Sequence, residues 1–298
     1  MTYPTDKIEF QAERDFGSRL NAAFDFIRRN FVPLITAMLV ILMPLLALGG
    51  ALGLIFYRYL QAKNISADSG ESMGMVIVGL SVFVFYLLVM SFLPATVVYS
   101  YIKLYRERPE SVFTVEQVLG ELKKHWLRLL GAMILTYIIL IPAFLLFIVP
   151  GIYLAIPMAL IPYIMIAEEL PFFDAMSRAF KMVRDNWWET FGIIIVAAII
   201  GSLFSYVFQL PFTILVGASA FIADSGNFAT LGFWGILSAV IYMVGNFIVQ
   251  AIPLTIYAVH YHHLVEIKEG TGMMGRIANL GNATVWQRTA DIDDEETF

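Results

Sequence analysis

From Val115 to Ala167 the chain reads VEQVLGELKKHWLRLLGAMILTYIILIPAFLLFIVPGIYLAIPMALIPYIMIA, and this stretch holds every part of the expected fold. Its head sets Val115, Val118, Leu119, Leu122 and Trp126 at i, i+3, i+4, i+7 and i+11, one face of a 3.6-period helix. From Leu129 to Ala167 there is no charged residue. About 20 helical residues cross ~30 Å of hydrocarbon, so the run is too long for one span. Val149-Pro150-Gly151 near its middle places a turn between two. The stretch predicts an amphipathic helix lying on the membrane, a span, a turn and a span back.

The same stripe occurs at Leu20, Ala23, Phe24, Ile27, Phe31 and at Met176, Ala179, Phe180, Val183, Trp187, each running into a long apolar segment. A basic residue stands three before the last aromatic in all three copies: Arg28, Lys123 and Arg184, which are expected to face lipid headgroups. The expected interfacial anchors are Phe24, Ile27 and Phe31; Leu119, Leu122 and Trp126; Phe180, Val183 and Trp187. Burying such a stripe at ~25 cal/mol per Å² outweighs the pairs Asp25 with Arg29 and Asp174 with Arg178, which give a few tenths of a kcal/mol each. Further charge-free runs at 31–57, 73–102, 190–223 and 225–259 bring the expectation to six spans arranged as three hairpins. The return spans carry Pro94, Pro162 and Pro253, so kinks are expected there. Residues 1–268 read as one all-α membrane domain of three pseudo-repeats, about 15–110, 111–169 and 170–268. Residues 269–298 read as a cytoplasmic acidic tail ending in Asp291, Asp293, Asp294, Glu295 and Glu296.

Composition agrees. At 59% hydrophobic and 14% charged residues, with a mean hydropathy of +0.75, the chain lies outside the range of ordinary soluble domains. Of its 19 Lys and Arg residues, all but Arg58 and Lys63 fall on the side that holds both termini and the connections after spans two and four. Positive residues mark the cytoplasmic face, which predicts a multi-pass membrane protein with both termini cytoplasmic. The absence of cysteine excludes disulfides and thiolate chemistry.

No Asp, Glu, Lys, Arg or His is expected at mid-membrane depth, where ion-coupled transporters keep such groups. The candidate polar patch is Gln209, Asn246 and Gln250, between the fifth and sixth spans, read first as interhelical hydrogen bonding. His260, His262, His263 and Glu266 spread over two faces of one helix and are read as interfacial anchors rather than metal ligands. Glu168 and Glu169, at the end of the fourth span, are read as complementing the dipole of the helix that follows. Nucleophile, phosphate-loop and zinc-protease motifs are absent from the sequence, so no catalytic residue, metal or cofactor is expected, and nucleic acid is not implied.

The turn Pro150-Gly151-Ile152-Tyr153 and the run AEELPFFDAMSRAFKMVRDNWWETFGI, Ala167 to Ile193, resemble the glycerophosphoryl diester phosphodiesterase membrane-domain family. That family looks like a six-span domain with a Pro-Gly-Ile-Tyr turn, a span ending in Glu, and an amphipathic helix before an aromatic re-entry. Ala175, Met176 and Phe180 fill matching places, whereas Ala179 stands where the family often has Ser. The run HLVEIKEGTGMMGRI, His263 to Ile277, is similar to the branch in Bacteroidota-type bacteria. In fused relatives a separate soluble domain performs the hydrolysis, and its His-Arg-Gly and paired-acid motifs are missing here. The resemblance implies an accessory protein of a bacterial inner membrane with no settled activity, with other membrane proteins and an AAA-type ATPase system as expected partners. The charge-free spans point to a non-enzymatic role, and the basic interfacial residues make membrane lipids expected partners. Scaffold or assembly subunit of a membrane complex is the leading expectation; carrier or scramblase for a lipid or other amphiphile is the alternative.

Overall fold

Apolar side chains that have nowhere to bury within the protein dominate the surface of this computed structural model: Leu54, Ile55, Ile138, Leu145, Leu203, Val207 and Ile214 are all exposed on helices. Such a continuous apolar surface is stable only in lipid. The structure describes residues 8–62, 70–108, 113–222, 228–270 and 274. The described residues are helical with no strand, and six helices are long and apolar enough to cross a membrane. The molecule is an all-α, multi-pass membrane protein.

Helix α1 (Phe16–Ala62) and α2 (Gly70–Glu107) form the first hairpin, and α3 (Val115–Leu146) leads into the second. The return span of that hairpin is split into α4 (Ile148–Met158) and α5 (Ile161–Ala167). Next come α6 (Phe172–Val183), a 3₁₀ turn at Arg184–Asn186, α7 (Trp187–Ile222) and a sixth span divided into α8 (Phe228–Val249) and α9 (Ala251–Glu269).

Three sequence expectations shift. Only the third stripe forms a helix of its own, α6; the first two are the opening turns of α1 and α3, continuous with their spans. Nothing at the ends of those stripes breaks the helix, since Pro33 and Pro142 both lie further along and are absorbed. The second-hairpin turn sits at Phe147, whose extended backbone (φ −156°, ψ 135°) separates α3 from α4, and not at Val149-Pro150-Gly151. Pro150 is instead in the first turn of α4, where a missing N–H costs nothing, and Gly151 lets the Phe144 ring approach so closely that a Cβ would lie 2.5 Å from it. Proline breaks two of the three return spans: α4 ends at Met158, four before Pro162, and α8 at Val249, four before Pro253, because the ring removes a donor and crowds that carbonyl. At Pro94 α2 runs through. Thr96 donates to the Phe92 carbonyl at 3.2 Å, and Thr255 donates to that of Ala251 at 2.7 Å, satisfying carbonyls beside each proline.

Helix α9 is the axis of the packed end. From Ala251 to Glu266 only Ile252, Leu254 and Tyr257 are more than marginally exposed, because α1, α2, α6 and α7 surround it. Tyr163 stacks edge-on between Tyr99 and Tyr261, with ring centroids 5.0 and 5.7 Å away.

Candidate functional site

At the packed end, charged side chains are buried in pairs. Arg19, on the first turn of α1, is 2% exposed and bonds Glu189 of α7. Its guanidinium also donates to His260 Nδ1 at 2.9 Å. Arginine only donates, so the His260 proton sits on Nε2, which donates to Thr190 Oγ1 at 3.0 Å, and Thr190 passes its own proton toward the Asn186 carbonyl at 2.9 Å. His262 Nε2 lies 2.5 Å from the Tyr163 hydroxyl, and the backbone N–H of Arg14 donates to His263 Nδ1 at 3.1 Å. These histidines are 0–3% exposed, so they are core groups and not the interfacial anchors expected from sequence. The N-terminal segment, α1, α5 and α7 contact them.

The acids at the end of α5 are also held. Glu168 takes Arg178 at 3.1 Å and the hydroxyl of Tyr261, while Arg178 reaches on to Glu269. Arg178 therefore does not serve Asp174, and Asp25 pairs with Arg28 at 3.2 Å instead of Arg29. Glu169, at a left-handed φ of 57°, turns its carboxylate onto the buried Lys103 ammonium, which also lies 2.9 Å from Glu121. Lys103 holds the Glu169 carboxyl below its ordinary pKa. These acids act through side-chain pairs across helices rather than through the dipole of α6. Glu121, His125 and Glu169 offer three donor atoms within 4.8 Å of one another, yet the Lys103 ammonium already fills the place of a cation there.

The interfacial candidates divide. Phe24, Phe31 and Trp126 are exposed, as are Arg28, Lys123 and Arg184; Ile27, Leu119 and Phe180 are half-buried. Leu122 and Val183 are core residues, 8% and 1% exposed, because their helices pack that face against protein before any lipid reaches it. Trp187 stacks between Tyr153 and Phe191 and donates to the Tyr153 carbonyl at 3.3 Å, a carbonyl that Pro157 leaves without a helical donor.

The remaining candidates, Gln209, Asn246 and Gln250, meet in one cleft of about 420 Å³ between α7, α8 and α9. Antiparallel pairing brings them together: Gly201 faces Pro253, Gly245 faces Phe208, and Phe212 stacks on Tyr242 at 6.1 Å. Tyr206, Tyr242 and Tyr257 add phenols, and Ser202 and Ser205 add hydroxyls. Among the described residues none of these side chains has a hydrogen-bond partner in the protein, so the expected interhelical bonds are not formed. Their polar atoms face the cleft. Charge is absent from the lining. From Ala198 to Gln209 the wall runs about 17 Å at 1.5 Å per residue. The tyrosines and serines escape a search for charged groups, but Ala198, Gly201, Ser202, Ser205 and Gln209 repeat the i, i+3, i+4, i+7, i+11 spacing, and that small and polar stripe marks the face.

No curated protein and no solved structure matches the chain. A family model described as a domain of unknown function, DUF7847, matches residues 111–264, just over half of the chain and the whole of the cleft. The chain belongs to the DUF7847 family.

Proposed function

We propose that this protein is a non-enzymatic, multi-pass protein of a bacterial inner membrane, with both termini cytoplasmic, that takes an amphiphile from the bilayer as a lipid carrier or scramblase. The observation that carries this reading is the uncharged polar cleft between α7, α8 and α9. Unpartnered amides and phenols at membrane depth cost about 1–3 kcal/mol each, and a polar group entering from the bilayer relieves that cost. Tyr206, 60% exposed, and the exposed Gln250 stand at the rim and give lateral access. The non-enzymatic reading is supported by the acids of the packed end, Glu121, Glu168, Glu169 and Glu189, which are engaged in ion pairs between separate parts of the chain. Orientation rests on the one-sided distribution of Lys and Arg. A kinship with the glycerophosphoryl diester phosphodiesterase membrane domains belongs to the same proposal.

Reconstitution into vesicles with a fluorescent phospholipid in both leaflets tests it. Dithionite bleaching beyond the outer half is expected with the protein present. Bleaching equal to that of protein-free vesicles, in preparations that also retain no lipid, overturns the reading.

One observation favours a second reading, as a scaffold or assembly subunit. Phe173, on the first turn of α6, and Trp188, on the first turn of α7, are 62% and 77% exposed, and Lys181, Arg184 and, on α3, Lys123 are exposed as well. Aromatic and basic side chains so exposed suit membrane-protein partners and an acidic surface such as an AAA-type ATPase could present. Purification in mild detergent should then bring down a stoichiometric companion; a clean monomer counts against it.

A further inference from the structure

We infer that the cleft between α7, α8 and α9 recognises a lipid whose head is uncharged and rich in hydroxyls or amides, of the glycosyl-diacylglycerol type, and discriminates against phosphate. This deepens the carrier reading and rests on it. The lining names the chemistry. Gln209, Asn246 and Gln250 each present both donors and acceptors, and Tyr206, Tyr242 and Tyr257 each present a hydroxyl that does both. That set satisfies neutral groups which likewise donate and accept.

A phosphate offers only acceptors, leaving the amide carbonyls unanswered, and it would bring a charge into a cleft with no Lys, Arg or His on its wall. An unpaired charge in a low-dielectric site is penalised far more than a hydroxyl. An ammonium head has the converse problem, with no Asp or Glu in the lining. The cleft's volume falls in the range that holds small ligands and headgroups. Val249 and Leu254 provide apolar wall beside the polar groups, as an amphiphile's glycerol and first methylenes require.

Full-length protein in detergent is loaded with equal amounts of monoglucosyl-diacylglycerol and phosphatidylglycerol of matched acyl chains, and retained lipid is read by native mass spectrometry. Retention of the glucolipid about tenfold above phosphatidylglycerol is expected, with the preference lost in Gln209→Leu/Asn246→Leu. Should that double variant fail to fold, the single variant Ser205→Val, which removes one hydroxyl from the wall and is expected to weaken the preference about threefold, takes its place. Equal retention of the two lipids, or a preference for phosphatidylglycerol, overturns the inference and leaves the carrier reading standing if scrambling persists. Retention of neither, together with no scrambling, overturns both. A glucolipid preference unchanged in the double variant and in Ser205→Val overturns the assignment to this cleft.

Discussion

The packed end and the cleft are both polar regions in a mostly apolar chain, and they differ in what their charged and amide groups meet. Around α9, Arg19, Lys103 and Arg178 are each answered by a carboxylate from another helix. Around Gln209 and Asn246 the polar atoms find no protein partner among the described residues. Paired groups lock helices to one another; unpaired ones leave hydrogen-bonding capacity for something that arrives. Polarity alone does not set the cleft apart: at the packed end the charged groups are paired, although His262 Nδ1, His263 Nε2 and Ser100 Oγ are buried without a hydrogen-bond partner among the described residues.

The sharpest way to break the contrast is to strand a charge at the packed end. Lys103→Met leaves Glu121, 6% exposed, with only Lys124 and His125, and should cost about 3 kcal/mol, read as a lowered melting temperature in detergent. Adding Glu121→Gln should restore part of it; no recovery would mean that the pair is not the source of the loss. Next in size is Gly245→Ala. Its new Cβ would fall 2.1 Å from the Phe208 ring, so α7 and α8 must part, at about 2 kcal/mol and with reduced lipid retention. In the cleft itself the sign should differ: Gln209→Leu or Asn246→Leu should leave thermal stability within about 1 kcal/mol or raise it, while lipid retention falls. Destabilisation comparable to that of Lys103→Met would place the cleft residues among the structural pairs.

The smallest effect concerns Glu169, whose carboxyl Lys103 holds below its ordinary value of 4.5. A depressed folded-state value means that the stabilisation is complete above the unfolded value and is lost as pH falls through the folded one. The side chain is 64% exposed, so the loss below pH 4.5 should be slight and absent in Glu169→Gln. Melting temperatures at pH 7 and pH 4 check it.

Much of the architecture was legible from Val115 to Ala167. Long charge-free runs have few options in water, and helices are the way to satisfy their backbone in lipid. Gln209, Asn246 and Gln250 were also visible as candidates because amides are rare in such runs. Helix boundaries were less legible. A stripe at 3.6 spacing looks the same whether its helix stops, as α6 does, or continues into a span, as α1 and α3 do.

The amino-acid sequence by itself determined that this chain lives in a membrane as six helical spans, because periodicity and hydropathy are local and act on each segment alone. Only the tertiary structure decided that His260, His262 and His263 are buried, that Arg178 serves Glu168 instead of Asp174, and that three amides share one cleft with their polar atoms unanswered. Partnership depends on which helices become neighbours, and residues as distant in the chain as Arg19 and Glu189 meet only when all spans have packed.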